Sequence, residues 1–433
     1  MSEDFSIRTT PVFLDGVFRT LAGVPDLWAV IDGPRCVVEM MDRGILGHAW
    51  RQRLMRRDGD DRLFMTGQGI DRPTDVAPRQ LLARLEEAAA RRGPPGAVLV
   101  SEMAPARLIG NDLPVLAEEI AKRVRAPATV VKFFPLTRDA LDGFSACLCA
   151  LAESLPDASC KGGRDSVGVI GHLLDRTEAD QLANVQELES LLTALGVKVS
   201  AVWTSGQPLS RLAEAGSSRR LIALPLGEPA AARLAERSGA SVLSAPLPIG
   251  LAGTSRWLRR IAARFDRKPQ AERFIAARLE ALVPLIGPMV SRVFAGRRVL
   301  VIAEPALAEG LSEYLEELGM EALGPLWRCR RQDALPKSVR KRAQPGPRLY
   351  DPSQESLQGF VDQALREGPV DLVIGSSLER EMLSGRGLPF LELGFPSFQY
   401  RPLVPSPDLG FSGALHLAHR LSLKLAEARP EAC

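Results

Sequence analysis

Short apolar segments, each ending in glycine or another small residue and followed by a stretch of helical periodicity, recur along the whole chain. Ala97–Ser101, Ser166–Gly171, Val197–Trp203, Arg220–Pro225, Arg298–Ala303, Asp371–Gly375 and Pro389–Leu393 read as strands. Most of these run apolar without alternation, which a strand requires when helices cover both faces of its sheet. Between them, Leu81–Arg92, Gln181–Leu195, Pro269–Val283, Leu307–Leu318 and Ser356–Arg366 carry apolar residues three or four apart with charges elsewhere, the pattern of helices packed along one side. Alternation of this kind builds parallel sheets with crossover helices. Two polar, glycine-bearing joints look like restarts of the pattern: Lys161-Gly-Gly-Arg-Asp165 before Val167–Ile170, and Ala295-Gly-Arg297 before Val299–Ile302. The expected fold is α/β, with three doubly wound, Rossmann-like domains of mostly parallel sheets around a central cleft. Their expected spans are 1–163, 164–295 and 296–433, each of ordinary domain size.

Composition narrows the function classes. With 45% hydrophobic and 25% charged residues, the chain is neither disordered nor a small disulfide scaffold. A net charge of +3 from 55 basic and 52 acidic side chains is too near balance to point to nucleic acid. Six cysteines in a chain of 433 residues, without a charged and apolar leader, fit a reducing cytoplasm. The longest apolar runs, such as Ala97–Val100 and Val299–Ala303, fall short of the roughly 18 residues of a membrane helix, so no membrane span is expected. Trp327–Tyr350 gathers Arg328, Arg330, Arg331, Lys337, Arg340, Lys341 and Arg342 among prolines. It reads as a solvated basic loop, with a docking surface for an acidic partner as the alternative.

Chemistry in parallel α/β domains sits at the carboxyl ends of strands. No GxxxxGK[ST] loop, GxSxG, HExxH or CxxC occurs, and Gly67-Gln-Gly69 lacks the third glycine of a dinucleotide fingerprint and follows no convincing strand. Cys36 stands apart, since Trp28-Ala-Val-Ile-Asp-Gly-Pro-Arg-Cys36 puts a thiol after an apolar strand and a Gly-Pro turn. Two readings stay open there: a small core residue, or a thiolate ligand for soft iron, favoured by backbone N–H groups and nearby arginines. Cys147 and Cys149 lie two apart in the apolar stretch Phe144–Ala152 and face different sides, as core residues do. Cys160, Cys329 and Cys433 have no ligand spacing.

In linear order, several segments resemble the nitrogenase component 1 superfamily, which holds the nitrogenase molybdenum-iron subunits, their cofactor-assembly scaffold subunits and the protochlorophyllide and chlorophyllide reductase subunits. Val30-Ile-Asp-Gly-Pro-Arg-Cys36 is similar to the family's Gly-Pro-x-Gly-Cys turn, and Phe64-Met-Thr-Gly67 to its Thr-rich stretch. Ser101–Asp112, ending Ile-Gly-Asn-Asp, resembles its segment of Cys then Ile-Gly-Asp-Asp. Pro246–Gly250 with Gly253-Thr254 resembles the central Pro-Ile-Gly turn, and Asp371–Ser377, Gly394–Pro396 and Gly410–Gly413 the closing motifs.

The resemblance implies a cytoplasmic oxidoreductase subunit and a 4Fe-4S type iron-sulfur cluster shared with a partner. Family members that hold most of an interface cluster carry three cysteines. Here the first position falls near Thr9-Thr10-Pro11 and the third at Met103 or Ala104, so Cys36 alone remains as metal ligand, with Gly33 and Arg35 beside it in a turn one residue short. A chain with one ligand and no cofactor cysteine in Arg219–Gly227 is expected to be a β-like subunit. The implied complex pairs it with an α-like subunit as an α2β2 heterotetramer, with an ATP-dependent iron protein as electron donor. Trp203–Gly206, Ile249-Gly250, Gly253-Thr254 and Phe395–Tyr400 are expected to face the cleft. The alternatives are a metallocluster assembly scaffold and, from another class, a nucleotide-sugar transferase or a small-ligand binding protein.

Overall fold

In a computed structural model of the chain, the described residues are 10–34, 62–67, 76–103, 106–107, 110–132, 138–157, 160, 162–173, 178–330 and 350–427. They form three four-stranded sheets between helices, as the strand and helix pattern requires. The first holds β1 (Leu27–Asp32), β2 (Leu63–Met65), β3 (Ala97–Glu102) and β4 (Ala128–Val130) in the order β2-β1-β3-β4. The second holds β5 (Ser166–Ile170), β6 (Lys198–Val202), β7 (Arg220–Ala223) and β8 (Ser241–Ser244) in the order β6-β5-β7-β8. The third holds β9 (Arg298–Ala303), β10 (Glu321–Trp327), β11 (Leu372–Gly375) and β12 (Phe390–Glu392) in the order β10-β9-β11-β12. One order thus occurs three times, and its reversal point lies beside the first strand of each sheet.

The chain gathers into two compact units. One takes Pro11–Thr177 and Val199–Leu243, with the first two sheets; the other takes Met1–Thr10, Glu178–Lys198 and Ser244–Cys433, with the third. In the first sheet, Trp28, Val30, Val98 and Val100 pack with Leu81, Leu85 and Ile120 of the helices Val76–Arg92 and Leu113–Val124. Central strands buried on both faces explain the unbroken apolar runs. The helix Phe13–Gly23 is buried along its whole length, including Asp15 and Arg19. It crosses the helix Ala140–Ser154 closely: a Cβ on Gly143 would stand 2.1 Å from the Phe13 carbonyl oxygen. In the third sheet, Leu300, Ile302 and Val373 pack with Leu357 and Val361 of the helix Gln354–Glu367.

Two expectations meet further observations here. Arg328, read as part of a solvated basic loop, is 1% exposed, because it follows β10 into the interior and meets carboxylates there. Residues 331–349 lie outside the described ones. The helical stretch Lys268–Phe294 is long and apolar enough to cross a membrane by length and composition, and only 17% of its most apolar window is buried. Unbroken apolar runs do not reveal it, because Arg278, Glu280, Gly287 and the two internal prolines Pro284 and Pro288 interrupt its apolar residues.

Candidate functional site

Each reversal point in strand order leaves a place for chemistry at the carboxyl edge of a sheet. The three places differ in what fills them.

In the second sheet, backbone fills it. A Cβ on Gly171, just after β5, would stand 2.3 Å from the Gly227 nitrogen, and one on Gly227 would stand 2.2 Å from the Ile170 carbonyl oxygen. Only glycine permits that approach. Next to it, Thr204 follows β6 with φ +58°, a strained conformation for a β-branched residue. Its hydroxyl donates to the His172 carbonyl. His172 is 3% exposed, with no hydrogen-bond partner for Nε2, and burial pushes its pKa down to about 4.

That histidine sets a pH prediction. Unfolded, it binds a proton below about pH 6.5; folded, only below about 4. The unfolded chain therefore holds more protons between these values, and stability falls as pH drops through that window. His416, pushed down to about 4 by burial and by Arg420, acts in the same direction. Asp15, raised to about 6 by burial against the pull of Arg19, opposes them, since the folded state binds its proton first. Glu102, Glu189 and Glu317, all raised by burial, oppose the histidines as well, so the contribution of His172 is read as a difference between variant and wild type. Urea unfolding between pH 6 and 4.5 should show it: His172→Gln should lower the slope of stability against pH by up to about 1.4 kcal/mol per pH unit. An unchanged slope in the variant refutes the assignment.

In the third sheet an ionic network fills the place. Arg328 donates through Nη2 to Glu304 at 3.0 Å and through Nη1 to the Phe395 carbonyl, and its Nε lies 3.7 Å from Glu379. Glu379 in turn accepts from the backbone N–H of Ser376, capping the helix Ser377–Met382. Glu392, at the end of β12, accepts from the Ser397 hydroxyl and from the N–H groups of Gln399 and Tyr400. Burial pulls its pKa up, but these bonds prevail and hold it below the usual carboxylate range.

The first sheet differs, because its edge carries the Gly33-Pro34 turn. Asp32 ends β1 with no exposed surface. One carboxylate oxygen accepts from the Thr66 hydroxyl at 2.7 Å and the other from the Asn111 amide at 2.6 Å. The Thr66 hydroxyl also accepts from the Gly33 N–H at 3.0 Å, while the Gly67 N–H donates to the Gly33 carbonyl at 3.0 Å. The Met103 N–H donates to the Asp32 carbonyl at 2.8 Å. Gly33 has φ +153°, and a Cβ there would stand 2.8 Å from the Met103 sulfur, so the turn admits only glycine. Asp32 pairs in register with Glu102 at the end of β3. The Glu102 carboxyl is raised by burial, against Arg107 at 3.4 Å and with help from the Asp32 charge.

Of the residues singled out in sequence, Gly33 stands in this turn; Arg35 and Cys36 lie outside the described residues. Gly67, read as following no convincing strand, directly follows β2 and Thr66. Asp32, Thr66 and Asn111 do not emerge from the sequence as a set. Each is a polar residue that ends an apolar or motif segment, but nothing in linear order joins them.

The chemistry of the thiols among the described residues bears on where an iron-sulfur cluster could be held. Cys147 is pushed up to about 12 and Cys149 to about 11, both chiefly by burial, so neither thiolate is favoured there. Cys329 is buried, and no three His, Cys, Asp or Glu side chains among the described residues come together to hold a metal. A glycine turn at a strand end suits a following thiol, and Cys36 is the thiol that follows it in sequence.

Comparison with known proteins bears on the family of the chain from residue 77 onward. The sequence pattern of the family described as Nitrogenase component 1 type Oxidoreductase matches residues 77–425. The nitrogenase molybdenum-iron protein beta chain of Methanothermobacter marburgensis is 28% identical over 179 residues, 41% of this chain and 38% of that protein. A light-independent protochlorophyllide reductase component of Heliobacterium modesticaldum is 24% identical over 349 residues, 75% of this chain and 62% of that protein. The chain thus aligns with less than two thirds of the length of these relatives. In fold, a structure titled nitrogenase Cp1 at pH 6.5 superposes with a TM-score of 0.81 at 14% identity, covering 100% of this chain and 96% of that one.

Proposed function

Because the chain belongs to the nitrogenase component 1 type oxidoreductases, through a pattern that spans residues 77–425, we propose that it is the β-like subunit of a nitrogenase-type reductase. In this reading it helps hold an interface iron-sulfur cluster, pairs with an α-like chain in an α2β2 assembly, and is served by an ATP-dependent iron protein. The observation that carries the reading is the Gly33-Pro34 turn, set at the β1/β3 reversal point by three segments that resemble family motifs.

Cys36 would supply this chain's one ligand, and a four-ligand cluster then needs the others from a partner across an interface. When bound, the cluster would store and pass single electrons. Gly33 allows the turn to lie against Met103. Arg35, next to Cys36 in sequence, would offer a cation to offset negative charge at a thiolate there. Glu102, with its raised pKa, holds a proton more readily than an ordinary carboxylate at the same edge.

Anaerobic co-expression with an α-like chain of the family tests the reading. The expected product is a brown complex of α2β2 size that contains iron. A colourless, monomeric chain that ignores that partner would sink it.

A further inference from the structure

The geometry assigns to Asp32 a positioning role: with Thr66 and Asn111 it forms a clamp on a buried carboxylate that locks the Gly33-Pro34 turn, the turn that precedes Cys36 in sequence. This rests on the reading of the edge as a cluster site and adds to it the device that holds the edge in shape.

The Asp32–Gly33 step is tied down atom by atom. The Asp32 carboxylate takes the Thr66 hydroxyl and the Asn111 amide, the Asp32 carbonyl takes the Met103 N–H, the Gly33 N–H gives to Thr66, and the Gly33 carbonyl takes the Gly67 N–H. The partners come from far along the chain, 34 residues away for Thr66 and 79 for Asn111. Thr66 works in both directions, donating to Asp32 and accepting from Gly33, as a hydroxyl can and a methyl group of the same size cannot. Asn111 sits beside Asp112, which caps the helix Leu113–Val124 by accepting from the Val115 N–H, so one dipeptide ties the turn to the start of a helix.

A buried carboxylate without exposed surface is retained at a cost in desolvation and is tolerated only when fully hydrogen-bonded. Here both oxygens are bonded to neutral donors. The arrangement holds a turn rather than neutralising a charge, since neither of these donors is a cation. Removal of one partner leaves a polar atom buried and unsatisfied and frees the turn to open.

The test uses the full chain, alone and in complex with the co-expressed α-like subunit. Thr66→Val removes donor and acceptor together, Thr66→Ser keeps both, and Asn111→Ala removes the other partner at a half-buried loop position. In the iron-free chain, alkylation of Cys36 by iodoacetamide, read peptide by peptide against Cys149 and Cys160, should speed up about tenfold in Thr66→Val, the ratio matching one or two lost buried hydrogen bonds. Thr66→Ser should restore the wild-type rate, and Asn111→Ala should lie between. In the complex, the electron paramagnetic resonance spectrum of the reduced cluster should shift or broaden in Thr66→Val and return in Thr66→Ser.

If Thr66→Val does not fold, Asn111→Ala carries the same comparison. Unchanged Cys36 alkylation in the folded variants overturns the clamp. A wild-type complex without iron overturns the cluster reading instead, and the alkylation series still decides the clamp by itself.

Discussion

Replacing Cys36 with alanine should strip the complex of its iron while the chain still folds and still meets its partner. The reasoning is a count of ligands. A cluster bound by four thiolates or their equivalents loses its place when one is removed at an interface, and the cysteines of the helix Ala140–Ser154 cannot step in: Cys147 and Cys149 have their thiols held protonated by burial. The substitution breaks none of the bonds that fix Asp32 and Gly33, so stability should change by about 0.5 kcal/mol or less. Cys147→Ala should behave in the opposite way. That side chain is fully buried in its helix, and its loss should cost about 1 kcal/mol in packing with iron unchanged. Iron assay and urea unfolding on the two variants make the contrast; full iron and activity in Cys36→Ala would remove this residue from the site.

Arg328→Met should be the most destabilising single change in the unit that holds the third sheet. The guanidinium is buried, facing Glu304 at 3.0 Å and Glu379 at 3.7 Å and donating to the Phe395 carbonyl. Methionine fills the space but strands two buried carboxylates beside each other. Breaking a buried ionic group from one side costs about 3–5 kcal/mol. The comparison that separates charge from packing adds Glu304→Gln to Arg328→Met, which should recover part of the loss, because one of the stranded charges is gone. Urea unfolding measures both. A single variant within about 1 kcal/mol of wild type would mean that the network relaxes or takes in water.

These residues also show how much is legible in the sequence. β3, β5, β7, β9 and β11 can be read almost to the residue, since strands buried on both faces must be apolar throughout and end where the chain turns. β2 and β4, three residues each, escape; β12 is as short but is legible from the segment Pro389–Leu393 around it. β10 escapes for a different reason: Gly324-Pro325 lies inside it and reads as a turn. The helix Phe13–Gly23 carries a polar face, with Asp15 and Arg19 four apart, that in sequence points to solvent on one side, yet every residue of it is buried. At the candidate site, the glycine turn is visible as a local motif. The clamp is not, since Asp32, Thr66 and Asn111 meet only after three strands are placed side by side. Arg328 misleads on composition: a cation among cations looks solvated until its carboxylates, 24 and 51 positions away in the chain, are folded onto it.

The buried helix near the start of the chain has a consequence for how the protein is made. Phe13–Gly23 leaves the ribosome long before Ala140–Ser154, the helix it crosses at Gly16 and Gly143. At ordinary rates of synthesis the delay of roughly 120 residues lasts about 6–25 seconds. Through that interval Phe13, Val17, Phe18 and Leu21, all destined for burial, lack the helix they cross most closely. A nascent chain stalled before residue 140 should therefore be a client for chaperones that hold apolar segments, and one stalled well after residue 154 should be released. The timing of translation thereby becomes part of how this fold is reached.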